Sequence, residues 1–414
     1  MIPELFKYLK INRYNFQTLR CDLVAGLTVA IVALPLSMAL AIASGASPEK
    51  GLITAIVAGF FISLLGGTRL QIGGPTGAFI IIVYDVIAKY GYDGLLLATF
   101  LAGIILIIAG YLRLGKIIEH VSHSVITGFT AGLAIVLASS QIKDFFGLSI
   151  DQIPSHFIEK WGVYFANFNS INFFALVIAA GSLLVIIVQR KYFSKLPGFL
   201  MVVILASLSI YLFQLPVETI GSKYPGIGQD LLRPAFPVWN GSLIIQLLPS
   251  AFTIAFLAAV ESLLCAVITD RMTDYKHNPN QELVGQGIAN IASSIFGGVS
   301  ATGALARTVT NIQAGAKTPI AGITHCLLIL LFVMFGMNLT TYIPLACLSG
   351  ILMVVAWNMS EAKNFMALFK DSKIDYAIML ITFFTTIFIG VSESISIGLI
   401  LSFIAKKWFE PAKS

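Results

Sequence analysis

A chain of 414 residues that is 57% hydrophobic and only 11% charged, with a mean hydropathy of +0.89, lies far from the roughly 45–50% apolar and 25% charged residues of soluble domains. The composition excludes a soluble globular protein and implies a polytopic membrane protein. The net charge of +6 does not argue for nucleic acid, since no basic run with interleaved aromatics occurs and the charges sit in short loops.

Residues 1–21 are polar and basic and read as a cytosolic N-terminal segment. The first apolar run, 23–43, has spanning length, so the start of the chain is not a cleavable signal. A criterion of about twenty apolar residues per span, relaxed for short segments, predicts seven membrane segments in the first half: 22–44, 48–65, 75–88, 95–112, 121–146, 171–188 and 197–215. It predicts seven more in the second: 243–268, 281–296, 302–314, 319–336, 342–356, 375–390 and 394–409. The polar stretches 147–170 and 216–241 form the longest outer loops, and 357–373 reads as an amphipathic helix on the inner surface. The fold class is therefore an all-α polytopic membrane protein.

Seven segments per half put the second half into the membrane upside down, the inverted-repeat plan of many secondary transporters. Charge supports that count. With both termini cytoplasmic, roughly nineteen Lys and Arg fall on the inner side and six on the outer, leaving Arg307 within the membrane. Gly51, Ala55, Gly59, Ser63 and Gly67 recur every fourth residue and form a smooth ridge for close helix approach, repeated by Gly128 and Gly132.

Two segments are broken in matching ways. Gly73-Gly74-Pro75 cannot continue a helix, because glycine costs about 1 kcal/mol and proline about 3 kcal/mol in a helix interior, yet Pro75 suits the first turn of a new one. The expectation is a short extended segment, then a half-helix from near Thr76 to about Ala88. In the second half Gly297-Gly298 ends one span, 299–301 is extended, and a half-helix starts near Thr302. Helix starts carry partial positive charge and unsatisfied N–H groups, so a facing pair is an anion site without a dedicated lysine. Arg307 either adds a full charge to that site or serves structurally, bracing carbonyls or pairing with Glu261. Glu261 is the clearest embedded acid, with Cys265 one turn on along the same face. It is either a proton- or sodium-coupling group or a static partner within the bundle.

Other chemistry lacks support. His120 and His123 fall at an interface, and His325 stands alone on an apolar helix. Cys21, Cys265, Cys326 and Cys347 show no Cys-x-x-Cys spacing or His/Cys cluster. No Ser/His/Asp constellation, catalytic carboxylate pair or Walker sequence stands out, so neither an enzyme nor ATP-driven transport is indicated, and no metal or cofactor is expected.

The segments Leu34-Pro35-Leu36-Ser37-Met38-Ala39-Leu40-Ala41, 73–78, 126–132, Asn280-Gln281-Glu282-Leu283 through Asn290, and 302–311 resemble signatures of the sulfate permease (SulP) family over nearly the whole chain. The resemblance implies a core domain (about 22–112 and 243–338) that moves like an elevator against a gate domain (about 117–215 and 340–409), in a homodimer within the plasma (cell inner) membrane. It implies an anion pocket lined by Leu36 and Leu40, by Thr76, Gly77, Ala78 and Phe79, and by Thr302, Gly303, Ala304 and Leu305, with Arg307 beside them. Glu261 matches the acidic position that bacterial members use for cation coupling. Arg307 matches a basic residue absent from some bicarbonate carriers. Family members normally continue into a cytosolic STAS domain, whereas this sequence stops at Ser414 without one: either it is the transmembrane part of a longer chain or this member lacks that domain. Three readings follow: proton-coupled uptake of sulfate or a small dicarboxylate, sodium-coupled bicarbonate uptake, or an anion channel, exchanger or binding scaffold.

Overall fold

The first helical turn forms where a cap exists for it. In the structure, a computed structural model, α1 (Glu4–Ile11) precedes α2 (Phe16–Ala43), and Asn15 Oδ1 accepts the Thr18 amide at 2.8 Å to start α2. Residues 16–21 are thus part of α2, ahead of the predicted boundary at 22. The structure describes residues 1–414 other than 12–13, 119–121, 151–152, 155, 193–196, 227–233, 235, 238–240, 369–372 and 410–414. The expected start of the fifth segment at 121, and His120, lie outside the described residues.

The first half continues with α3 (Pro48–Leu65), strand β1 (Gly73–Gly74), a tight 3-10 turn (Gly77–Phe79) and α4 (Ile80–Tyr111). Then come α5 (Gly115–Ile118), α6 (His123–Ser140), α7 (Ile142–Phe146), α8 (Phe157–Ala166), α9 (Phe173–Tyr192), α10 (Gly198–Phe213) and α11 (Ile220–Lys223). The second half holds α12 (Gly241–Met272), α13 (Pro279–Ile295), strand β2 (Thr302–Gly303) and α14 (Leu305–Gln313). It ends with α15 (Ile320–Gly336), α16 (Leu345–Met359), α17 (Ala362–Leu368), α18 (Lys373–Phe388) and α19 (Val391–Phe409).

Among the described residues, eight helical stretches are long and apolar enough to cross a membrane, from Phe16–Ala43 to Leu345–Leu368. Gly198–Phe213 and Val391–Ala405 are apolar but shorter. The third and fourth predicted segments join end to end as α4. Their only break is Gly91, at φ 73°, ψ 179°, a conformation that glycine adopts without a Cβ penalty. The second half-helix starts later than expected: Thr302 lies in β2, and α14 begins at Leu305. The expected surface helix over 357–373 also starts later, because α16 runs to Met359 and α17 begins at Ala362.

The helices pack in two sets. One comprises α2, α3, α4, α12, α13, α14 and α15; the other comprises α6, α7, α9, α10, α16, α18 and α19. In the first set the small-residue face of α3 lets helices close up, with Gly51 against Ser37 and Ala41 of α2 and Gly59 against Cys326 of α15. In the second, Gly128 and Gly132 of α6 abut Met379 and Thr386 of α18.

Candidate functional site

Irregular backbone inside a helix bundle must find partners in the protein, and both broken segments do. Asn290 of α13 acts as a surrogate strand: its Oδ1 accepts the Ala301 amide at 2.9 Å and its Nδ2 donates to the Ala301 carbonyl at 2.8 Å. Thr54 Oγ1 of α3 accepts the Val299 amide at 2.7 Å, Ser293 Oγ donates to Val299 O at 2.8 Å, and Thr99 and Ser300 hydroxyls meet at 2.8 Å. On the other side, Asn311 Nδ2 donates to Leu70 O at 2.9 Å, and Thr308 Oγ1 accepts the Ile72 amide at 3.0 Å. Two further polar residues of the 280–290 motif also fasten backbone: Glu282 Oε2 accepts the Gly67 amide at 2.9 Å, and Gln281 Nε2 donates to Leu65 O at 2.7 Å. These residues are fasteners of backbone, behind the cavity lining.

The two extended segments pair with each other. Gly73 lies opposite Gly303 and Gly74 opposite Thr302 in a two-residue antiparallel ladder, extended by the Ala304 amide donating to Ile72 O at 2.8 Å. From this ladder the helical turns at Gly77 and Leu305 depart in opposite chain directions, so two helix starts flank one place. Gly303 leaves no room for a Cβ unless the Gln71 side chain moves. A Cβ on it would collide with Gln71 Nε2, and the Gln71 amide is buried with neither of its polar atoms hydrogen-bonded among the described residues. Gly303→Ala is expected to lower stability by roughly 1–3 kcal/mol through overpacking, and adding Gln71→Ala should restore most of it. Thermal unfolding of the purified protein in detergent checks this; a single variant as stable as the parent would show that the ladder has slack.

Arg307, in the first turn of α14, is 1% exposed. Its Nη2 donates to Pro75 O at 3.1 Å and to Ser37 Oγ at 3.2 Å, while Nε and Nη1 have no hydrogen-bond partner among the described residues. The guanidinium therefore braces the carbonyl just ahead of the first helix start and holds further N–H groups in reserve. Glu261 of α12 accepts the Thr76 hydroxyl at 2.8 Å, and Thr76 stands immediately before the turn at Gly77, in its N-cap position but without a side-chain cap bond. Arg307 and Glu261 form no ion pair with each other.

A cavity of about 270 Å³ opens between the two helix sets. Leu36, Leu40, Thr76, Gly77, Glu261, Cys265, Gly303, Ala304, Leu305 and Arg307 all line it. Three of the expected residues do not. Ala78 and Phe79 are buried in an apolar cluster with Ile82 and Val83, and Thr302 is buried with its hydroxyl donated to Ala258 O at 2.9 Å. Cys265 lines the wall but its thiol is held by Thr308 Oγ1 at 3.3 Å. His325 is buried beside Cys326, with its Nδ1 3.6 Å from the sulfur.

Sequence reasoning missed the opposite wall. Phe129 and Thr130 of α6, Phe199 of α10, Met359 of α16 and Arg190 of α9 face the predicted residues across the cavity, and Gly77 packs against the Met359 sulfur. Only the motif at 126–132 hinted at this side. Chemically, the site is an apolar chamber with a few convergent polar groups: two helix starts, the buried Arg307 with Glu261 near them, and Arg190 and Glu361 on the wall. Such a chamber suits a small anion.

The comparisons agree with that chemistry. The sequence matches the Sulfate permease family over residues 19–382. It is 41% identical over 396 residues, 95% of this chain and 75% of the other, to YvdB of Bacillus subtilis (strain 168), whose name marks it as a candidate sulfate transporter. The solved transmembrane domain of BicA, a bicarbonate transporter of a cyanobacterium, is similar with a TM-score of 0.81 and 30% identity, over 94% of this chain and 99% of that one. Murine Slc26a9, an anion transporter solved in the inward-facing state, shares the fold at a TM-score of 0.89 and 18% identity, over 99% of this chain and 71% of that one. With the motifs, the paired half-helices and the match over most of its length pointing the same way, this chain belongs to the sulfate permease family.

Proposed function

We propose that the protein is a secondary active anion transporter that takes up sulfate or a small dicarboxylate together with protons. The observation that carries this reading is one cavity, between two helix sets, into which two helix starts, Arg307 and Glu261 all converge. Fourteen membrane segments form a 7+7 inverted repeat. The first helix set, within about 22–112 and 243–338, is the core that carries the anion. The second, within about 117–215 and 340–409, is the gate against which the core slides. Both termini lie in the cytoplasm, the protein sits in the plasma membrane as a homodimer, and the cavity faces inward, because its gate wall includes Arg190 at the end of α9, where Arg190 and Lys191 mark the inner side.

Anion binding rests on Thr76, Gly77, Gly303, Ala304 and Leu305, with Leu36 and Leu40 as apolar walls and Arg307 as the nearby charge. Ala78, Phe79 and Thr302 hold the two helix starts in shape from behind. Glu261 carries the coupling proton: as a carboxylate it accepts the Thr76 hydroxyl, and protonation changes what it offers to the start of the half-helix. A second reading, sodium-dependent bicarbonate uptake, draws on the likeness to the BicA transmembrane domain.

Uptake of radiolabelled sulfate, bicarbonate, fumarate and chloride into proteoliposomes, with and without proton and sodium gradients, tests both. The expected result is sulfate or fumarate accumulation driven by an inward proton gradient. Accumulation indifferent to that gradient would remove the proton, sodium-dependent bicarbonate flux would favour the second reading, and currents far above carrier turnover would replace the carrier with a channel.

A further inference from the structure

The chamber is not the only cavity that a guanidinium overlooks. A second cavity, of about 810 Å³, lies between α2, α9, α10 and α14, and the two share Leu36, Arg190, Phe199, Ala306 and Arg307 along their walls. Of the two arginines at this junction, Arg307 is buried, with its Nη2 donating to Ser37 Oγ and Pro75 O. Arg190 is exposed. It ends the gate helix α9, its Nη1 donates to Asn358 Oδ1 at the end of α16 at 3.1 Å, and its guanidinium carbon lies 5.8 Å from the centre of the Phe199 ring. These contacts hold a long side chain in one place while, among the described residues, engaging one of its five donors.

Charge at the junction is lopsided in a useful way. Glu261 and Glu361 also line the first cavity, but among the described residues neither forms an ion pair with Arg190. Among the described residues, the wall of the second cavity holds Arg190 and Arg307 with no acidic residue, alongside Thr310 and Gln313 of α14. A cation in a crevice with apolar walls focuses the local field and raises the concentration of counter-ions there. A guanidinium fork also matches the geometry of an oxyanion better than a point charge does.

We propose that Arg190 forms a second anion station, at the junction of the two cavities, which receives a small oxyanion from the side where α9 ends and passes it to the chamber between the helix starts. The station belongs to the gate set, whereas the chamber's binding residues belong to the core set, so the hand-over crosses the boundary between them. This inference rests on the transport reading above.

The test is zero-trans transport of labelled sulfate in proteoliposomes of known orientation, supplied in turn from each face, at low and at physiological salt. Arg190→Gln is expected to raise the KM for sulfate about fivefold on the α9-end face at low salt, with the difference shrinking as salt rises and with little change in kcat, the pattern of a charge acting on encounter. On the opposite face its KM should move less than about twofold. Arg190→Lys should recover most of the lost affinity, while Asn358→Ala, which removes the tie and keeps the charge, should leave the salt dependence in place. An unchanged KM on both faces, an equal change on both, or Asn358→Ala reproducing the whole effect of Arg190→Gln would overturn the station and assign Arg190 to joining α9 with α16. If the parent protein moves no sulfate, bicarbonate, fumarate or chloride, the transport reading falls and the station with it; if the parent transports and Arg190→Gln matches it, the station alone falls.

Discussion

Glu261→Gln is expected to lower proton-driven uptake by about two orders of magnitude or more, while the protein still folds and still binds its anion. The expectation follows from what glutamine keeps. It has the size of glutamate and a carbonyl oxygen that can still accept the Thr76 hydroxyl, which now reaches Glu261 Oε2 at 2.8 Å. It cannot take up or release a proton. Thr76 immediately precedes the helical turn at Gly77, so the carboxyl group touches one of the two helix starts that flank the chamber. Uptake under an imposed pH gradient, compared with anion-dependent thermal stabilisation of the same variant, separates coupling from binding. Normal pH-driven uptake by Glu261→Gln would remove Glu261 from the coupling step.

Arg307→Ala should weaken sulfate uptake at least about tenfold and affect bicarbonate less, because a dianion feels twice the Coulomb attraction of a monoanion at the same distance. Two contributions are lost at once: a full positive charge beside the chamber, and the donor to Pro75 O and Ser37 Oγ. A lost hydrogen bond from a charged donor to a buried carbonyl costs about 1.5–3 kcal/mol, so a fall in unfolding temperature should accompany the loss of transport. Arg307→Gln separates the two roles, since an amide can still donate toward Pro75 O but brings no charge. Sulfate affinity retained in that variant would confine Arg307 to bracing the backbone.

Where the sequence was readable, rarity was the reason. In a chain this apolar, Glu261, Arg307 and the runs Gly73-Gly74-Pro75 and Gly297-Gly298 stand out because each is expensive in a membrane helix unless the bundle accommodates it. The family signatures added the neighbouring residues. The ladder between β1 and β2 was not visible, because two residues per strand leave no alternation to detect, and this is why the start of α14 was placed at Thr302 instead of Leu305. Asn290 read as part of a family motif, and its partner Ala301 was hidden because the bond depends on how the chain turns at Gly297 and Gly298. The wall opposite the helix starts, with Phe129, Phe199 and Met359, was lost among many apolar residues that look like ordinary packing, and Arg190 passed as a topology signal at the end of a span. The join at Gly91 was missed for a similar reason, since a lone glycine in an apolar run rarely marks a single-residue kink.

The bond between the Ile72 amide and Thr308 joins residues 236 positions apart, and the β1–β2 pairing spans nearly as far. At translation rates of roughly 5–20 residues per second, the early segment emerges from the ribosome about 12–47 s before its partner exists. During that interval the backbone around residues 70–76 has left water without its final acceptors and donors. The nascent first half must therefore wait in the translocon or at the lipid boundary in a shape other than its mature one, and the ligand chamber is among the last features of biogenesis to close.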